Sequence, residues 1–175
     1  GPSIQGTGAD KNAEAELAYP EATPGPVYSV EEAVGKVDAV RLTLFSKLFW
    51  DSLGVCMFSA RGVKDSLHLT TKSLVETVGW EDFDTQEALN VGERVANLMR
   101  LVYIRRGFQK SDELDVSEKH LEPPPAGPSR GLSIAPYLPA MVDEYYSQMG
   151  WNVDTGAPTV ETLRRLGMEE FLGDV

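Results

Sequence analysis

Stretches of helix-patterned sequence in this chain run repeatedly into a glycine, at Gly54, Gly79, Gly107, Gly150 and Gly167. Glycine has no Cβ and closes helices in the left-handed conformation at little steric cost. Punctuation of this kind constrains the fold more than any other feature of the sequence. The starts of the same stretches carry capping residues. Asp38 is placed to cap A-V-R-L-T-L-F-S-K-L-F-W-D-S-L, in which only Arg41, Lys47 and Asp51 are charged, so deep burial is expected. Thr70 or Thr71 can cap a helix through Val78. Asp84 with Glu87 starts the longest helix, running to Arg106, with Ala88, Val91, Val95, Met99 and Val102 as a core-facing stripe. Pro139 to Met149 reads as a helix with Met141, Val142, Tyr145 and Met149 on one side, and Thr159 caps a last helix through Leu166. No strand alternation longer than a few residues and no internal repeat accompany this pattern. The expected fold class is all-α, an irregular helical bundle.

Three regions follow from composition. Residues 1–28 are rich in Gly, Ala, Pro and Glu and read as an irregular lead-in, with a short helical stretch at Asn12 to Leu17. Gly1-Pro2-Ser3 looks like the scar left by a tag-removing protease, and the absence of a starting Met suggests a piece cut from something longer. Residues 29–120 form a helical domain opened by the capping-box pattern Ser29 to Glu32. Residues 121–175 begin with L-E-P-P-P-A-G-P-S-R-G, which cannot be helical, and continue into the C-terminal helices.

The 175 residues carry a formal net charge of −11. Nothing in that balance would offset repulsion from a phosphate backbone, so nucleic acid is not an expected partner. No apolar run reaches the roughly 18 residues of a membrane span, and no secretory signal is visible. The chain holds one cysteine, which rules out an internal disulfide and weakly favours a reducing cytoplasm.

That cysteine lies in W-D-S-L-G-V-C, residues 50–56. Gly54 lets backbone approach a bulky group closely, and a thiolate at Cys56 could ligate iron. Asp51 lies near a helix C-terminus, where the dipole disfavours a carboxylate, so it would be more comfortable accepting hydrogen bonds from a donor-rich ligand. The plainer reading makes Cys56 a small buried hydrophobe beside a helix-ending glycine. The six residues alone leave both open.

The order of motifs along the chain adds a resemblance. D-S-L-G-V-C, then A-L-N-V-G-E-R-V-A-N-L-M-R, R-R-G-F, G-P-S-R-G, D-E-Y-Y-S-Q-M-G-W and T-G-A-P-T-V-E-T-L-R-R-L-G-M together resemble the C-terminal part of the tungsten-dependent aldehyde ferredoxin oxidoreductases, over roughly residues 38 to 172. The resemblance implies a helical portion of an enzyme that oxidises aldehydes to carboxylic acids and passes electrons to ferredoxin. It implies a tungsten bis-pterin cofactor and a [4Fe–4S] cluster in the whole protein, with none bound to this portion alone. Relatives in the superfamily reduce aromatic acyl thioesters instead. The family motif D-x-x-G-L-C gives a pterin-contacting aspartate and the fourth cluster cysteine. It maps onto Asp51, Gly54, Val55 and Cys56, with Val55 in place of leucine. By this mapping Asp51, Gly54 and Val55 bind cofactor and Cys56 binds iron.

The family's other cluster cysteines, its second D-x-x-G-type motif and its pterin-cradling N-terminal domain have no counterpart here. That missing domain is an implied partner. The family's acid–base histidine precedes the motif cysteine, whereas His68 and His120 both follow Cys56. No catalytic residue is carried over. His68 is expected to be packed or capping, and His120 exposed. Arg94, Arg100, Arg105 and Arg106 are expected in surface or interhelix salt bridges with acids such as Glu87 and Glu93. Trp80, Trp151, Tyr145 and Tyr146 read as core aromatics. The alternative function is a non-enzymatic helical scaffold or partner-binding domain.

Overall fold

The computed structural model describes residues 35–60, 63, 65–127 and 130–175. The helical stretch expected at Asn12 to Leu17, the capping box at Ser29 and the 1–28 lead-in lie outside the described residues. Among those described the protein is helical, with α1 Val37–Ser52, α2 Met57–Ala60, α3 Ser66–Val78, α4 Thr85–Arg105, α5 Lys110–Leu114, α6 Glu118–Leu121, α7 Leu138–Gln148 and α8 Val160–Arg165. A closing 3-10 helix spans Glu169–Asp174. The only bridge of β type among them pairs Trp151 with Pro158.

Helix ends follow the glycines closely. Gly54, Gly79, Gly107, Gly150 and Gly167 all have φ between +66° and +87°. At the end of α4, the Phe108 N–H reaches the Tyr103 carbonyl at 3.0 Å and the Gly107 N–H reaches that of Ile104 at 2.9 Å. This paired closure satisfies carbonyls that the helix leaves without partners. Asp84 Oδ1 accepts the Glu87 N–H at 2.8 Å, and Thr159 Oγ1 accepts that of Thr162 at 3.2 Å, so both expected caps form. Residues 122–127, 130 and 131 are non-helical, as the prolines at 123–125 require.

Other starts differ. Asp38 sits inside the first turn of α1 and is not its cap; its carboxylate instead accepts hydrogen bonds from Arg41 one turn on. Thr70 and Thr71 lie inside α3, which begins at Ser66 after Asp65. Their hydroxyls donate to the carbonyls of Ser66 and His68, both at 2.8 Å. A threonine can bond backwards along a helix as well as cap one, and here it does the former.

The described chain divides into two compact units. The first, built on Leu42–Ala96, buries Phe45, Leu48, Phe49 and Trp50 of α1 with Leu67 of α3 and Ala88 and Leu89 of α4. Gly92 permits this packing, because a Cβ there would stand 2.0 Å from the Phe45 carbonyl oxygen. Earlier in α1 Val37 is buried as well, but Val40 is exposed.

The second unit, built on Asn97–Val175, gathers Leu101, Leu163, Leu166 and Met168, with Phe171 and Leu172 packed against them. In both units the face that α4 buries differs from the expected stripe. Ala88 is buried, but Met99 and Val102 are exposed, whereas Glu93, Asn97 and Arg100 are buried. Apolar periodicity misplaced this face because three of its positions are polar.

Arg100 explains how such a face can be stable. Its Nε donates to the Gly156 carbonyl at 2.7 Å, Nη1 to Glu113 at 2.8 Å and Nη2 to the Tyr146 hydroxyl at 2.6 Å. The guanidinium lies over the rings of Trp151, Tyr146 and Phe108 at 4.6, 4.8 and 5.1 Å. Buried charge is tolerable when paired and hydrogen-bonded in this manner. Trp151 Nε1 donates to Asn97 Oδ1 at 2.8 Å, so a second polar residue of the same face is also satisfied.

Candidate functional site

The W-D-S-L-G-V-C stretch is the end of α1 and the turn that leaves it. Phe49 and Trp50 are buried, which anchors the last turn of the helix. Trp50 Nε1 also donates to Thr70 Oγ1 at 3.4 Å. The Val55 N–H then reaches back to the Trp50 carbonyl at 2.9 Å, and the Gly54 N–H to that of Asp51 at 3.1 Å. This is the closure made possible by Gly54 at φ +72°.

Beyond the turn Val55 is half-buried and Cys56 is exposed with a free thiol. The Cys56 carbonyl accepts the Ser59 hydroxyl at 2.6 Å and the Ser59 N–H at 2.9 Å, which opens α2. Cys56 thus occupies the joint between two helices, its backbone held on both sides and its thiol turned outward. The small-buried-hydrophobe reading does not describe this residue.

Asp51 is exposed on the same helix end and pairs with Lys47 one turn earlier. Lys47 supplies the counter-charge that the helix C-terminus does not. Nothing lies within 4 Å of where a Gly54 Cβ would project. The turn is therefore open on the side where a bulky group could approach. A carboxylate, an unencumbered glycine and a free thiol within six residues suit a cofactor edge, but one thiol is only a quarter of a [4Fe–4S] ligand set.

The remaining sequence candidates fall elsewhere. His68 is half-buried in α3 and His120 is exposed in α6. Arg94 pairs with Glu87, and Arg105 Nη2 pairs with Asp174 Oδ2 at 2.6 Å. Arg100 forms one of the expected interhelix pairs, with Glu113 of α5 at 2.8 Å, but its side chain is buried in the second unit. Trp151 and Tyr146 are core residues and Tyr145 is half-buried, but Trp80 is 51% exposed. Trp80 occupies the first position of a turn and rests against Phe83, which stacks on the core in its place. Among the described residues, no group of three or more His, Cys, Asp or Glu side chains is arranged to hold a metal. No helix among them is long and apolar enough to cross a membrane.

By its own residues this is a helical protein that presents a lone thiol and a carboxylate at one open turn. Its sequence matches the family model for aldehyde ferredoxin oxidoreductase, domains 2 and 3, over residues 4–168, and the chain belongs to that family. It is 35% identical over 123 residues to a tungsten-containing aldehyde ferredoxin oxidoreductase of Pyrococcus horikoshii, covering 70% of this chain and 19% of that protein. The Pyrococcus furiosus enzyme of the same description is 35% identical over 124 residues, 69% of this chain and 19% of its own. That of Thermococcus kodakarensis is 32% identical over 123 residues, again 70% and 19%. The chain therefore spans about a fifth of the length of these relatives. No solved structure matches it.

Proposed function

We propose that this chain is the helical portion of a cytoplasmic tungstopterin oxidoreductase, which oxidises aldehydes to carboxylic acids with ferredoxin as electron acceptor. The observation that carries the reading is the free, exposed thiol of Cys56 on the turn after Gly54, at the spacing of the family's D-x-x-G-L-C motif. Cys56 supplies one thiolate to a [4Fe–4S] cluster, and the other three come from a part of the protein outside this sequence. Asp51 accepts hydrogen bonds from the pterin, shifting or sharing its pair with Lys47. Gly54 and Val55 form the backbone surface against which the cofactor rests. When bound, the tungsten and iron–sulfur groups supply the oxygen-transfer and electron-transfer chemistry. This chain's share is to bind, orient and exclude water at one wall of the site. A single cysteine among 175 residues is what a reducing compartment favours.

The test uses the full-length protein with two substitutions. Cys56→Ala lowers iron content and ferredoxin-linked activity while leaving the helical fold intact, because an exposed side chain takes few packing contacts with it. Asp51→Ala lowers pterin and tungsten occupancy before it affects iron. Full iron in the first variant together with full tungsten in the second would refute the assignment.

A further inference from the structure

Helix α4 is inverted relative to its own hydrophobic pattern. Leu98, Met99, Val102 and Tyr103 are between 41% and 48% exposed, and their spacing of i, i+1, i+4 and i+5 puts them on one side of the helix. Val91 and Val95, both half-buried, continue the same line towards the N-terminus. None of the six carries a charge. The side that α4 buries, by contrast, holds Glu93, Asn97 and Arg100. Single exposed apolar residues are ordinary on a protein surface, but an uncharged stripe along one helix marks a contact.

The helix cannot roll about its axis to bury the stripe. Arg100 bonds to the Gly156 carbonyl, Glu113 and the Tyr146 hydroxyl, and Asn97 accepts the Trp151 indole N–H. Gly92 lies against the Phe45 backbone with no room for a Cβ. Turning the stripe inward would break all of these contacts and leave a buried guanidinium unpaired. Cover for it must therefore come from outside the two cores that α4 already serves.

We infer that the α4 stripe packs against a segment of the same polypeptide outside these 175 residues, which makes α4 an interior helix of the whole protein. The matched region is only 19% of the relatives' length, so such a polypeptide has ample chain to supply the cover. A second copy of the chain fits the stripe less well. From Val91 to Tyr103 it is about 18 Å long and one helix wide, a footprint of about 200 Å² against the roughly 800 Å² that each partner of a stable dimer contributes. A segment of the same chain loses no translational or rotational freedom on docking, so a narrow apolar contact suffices for it. The inference rests on family membership and on α4, and none of its residues belongs to the Cys56 turn.

Carbene footprinting of the full-length protein, read residue by residue by mass spectrometry, tests the interface without any substitution. In the native protein, labelling of Leu98, Met99, Val102 and Tyr103 should fall to the level of the buried Leu163 and Leu166. The urea-unfolded protein supplies the fully labelled reference. A p-benzoylphenylalanine placed at Tyr103 then identifies the cover, and its photo-crosslinks should run within one chain to a segment outside the present sequence. Native labelling of the four residues close to the unfolded level would overturn the interface. A crosslinked product with the mass of two chains would overturn the same-chain occupant in favour of a second copy. Crosslinks confined to residues 1–175 would overturn it in favour of cover from within this sequence. Iron content of the Cys56→Ala variant does not enter any of these outcomes, so the two readings can fail separately.

Discussion

The Nε of Arg100 donates to the Gly156 carbonyl at 2.7 Å across 56 residues of sequence, and both groups are buried. This bond holds the loop from Trp151 to Pro158 against α4, while the other guanidinium nitrogens engage Glu113 and the Tyr146 hydroxyl. Arg100→Met removes all three donors but fills much of the volume. The Gly156 carbonyl then loses this donor, and the Tyr146 hydroxyl keeps only its 3.5 Å bond to Glu113. Urea unfolding should show a loss of about 3 kcal/mol. Arg100→Lys should recover only part of it, because an ammonium cannot reproduce the fork geometry.

Gly92→Ala tests the packing of the first unit. Alanine would gain up to about 1 kcal/mol in helix propensity. The new Cβ, however, would meet the Phe45 carbonyl oxygen at 2.0 Å, and that oxygen belongs to backbone. Overpacking against an atom that cannot rotate away should dominate, with a net destabilisation of about 2 kcal/mol or more in thermal or urea melts. Gly54→Ala is the matched control. It meets nothing within 4 Å, so it should cost only the left-handed strain, about 1 kcal/mol.

Alkaline pH should weaken the second unit through Tyr145. Burial, and next the negative charge of Glu113, push its pKa from 10.0 up to about 12, with Arg100 opposing. The fold therefore favours the neutral phenol. Its contribution is fully present below pH 10 and is lost as pH rises through about 12. Tyr145→Phe should flatten this part of the stability profile. Tyr146, raised chiefly by burial as well, accounts for the slope that remains. A Tyr145→Phe profile identical to that of the unsubstituted chain above pH 10 would contradict the assignment.

Iron–sulfide reconstitution of the isolated chain should leave it colourless, since a [4Fe–4S] cluster takes four thiolates and this sequence has one. Visible absorbance with iron analysis on a size-exclusion column checks it. A brown monomer would show that the ligand count is wrong, and a brown oligomer that chains had pooled their cysteines.

Helix ends were the most legible part of this sequence, because a left-handed closure demands a particular residue at a particular place. Gly54, Gly79, Gly107 and Gly167 could be assigned from that demand alone. Starts were less so. Asp84 and Thr159 cap as expected, but Thr70 and Thr71 satisfy their hydroxyls from inside a helix, and nothing local distinguishes the two uses. The buried face of α4 was misplaced because its polar members are satisfied by residues far away in sequence, such as Gly156 and Trp151. The D-S-L-G-V-C turn could be read as a helix end followed by a thiol. That the thiol would face outward followed from no periodicity, since it lies past the last helical residue.

The close approach of Gly92 to Phe45 also fixes a register. Six positions further along α1 lies Asp51, roughly 9 Å on at the helical rise. One residue inserted or deleted between them would swing Asp51 and the Gly54 turn by roughly 100° about the helix axis. The thiol would still be present, still exposed and still five residues after its aspartate, yet aimed at a different neighbour. The interval from Phe45 to Cys56 therefore behaves as a ruler, and its length should tolerate change less readily than the identity of the exposed residues along it.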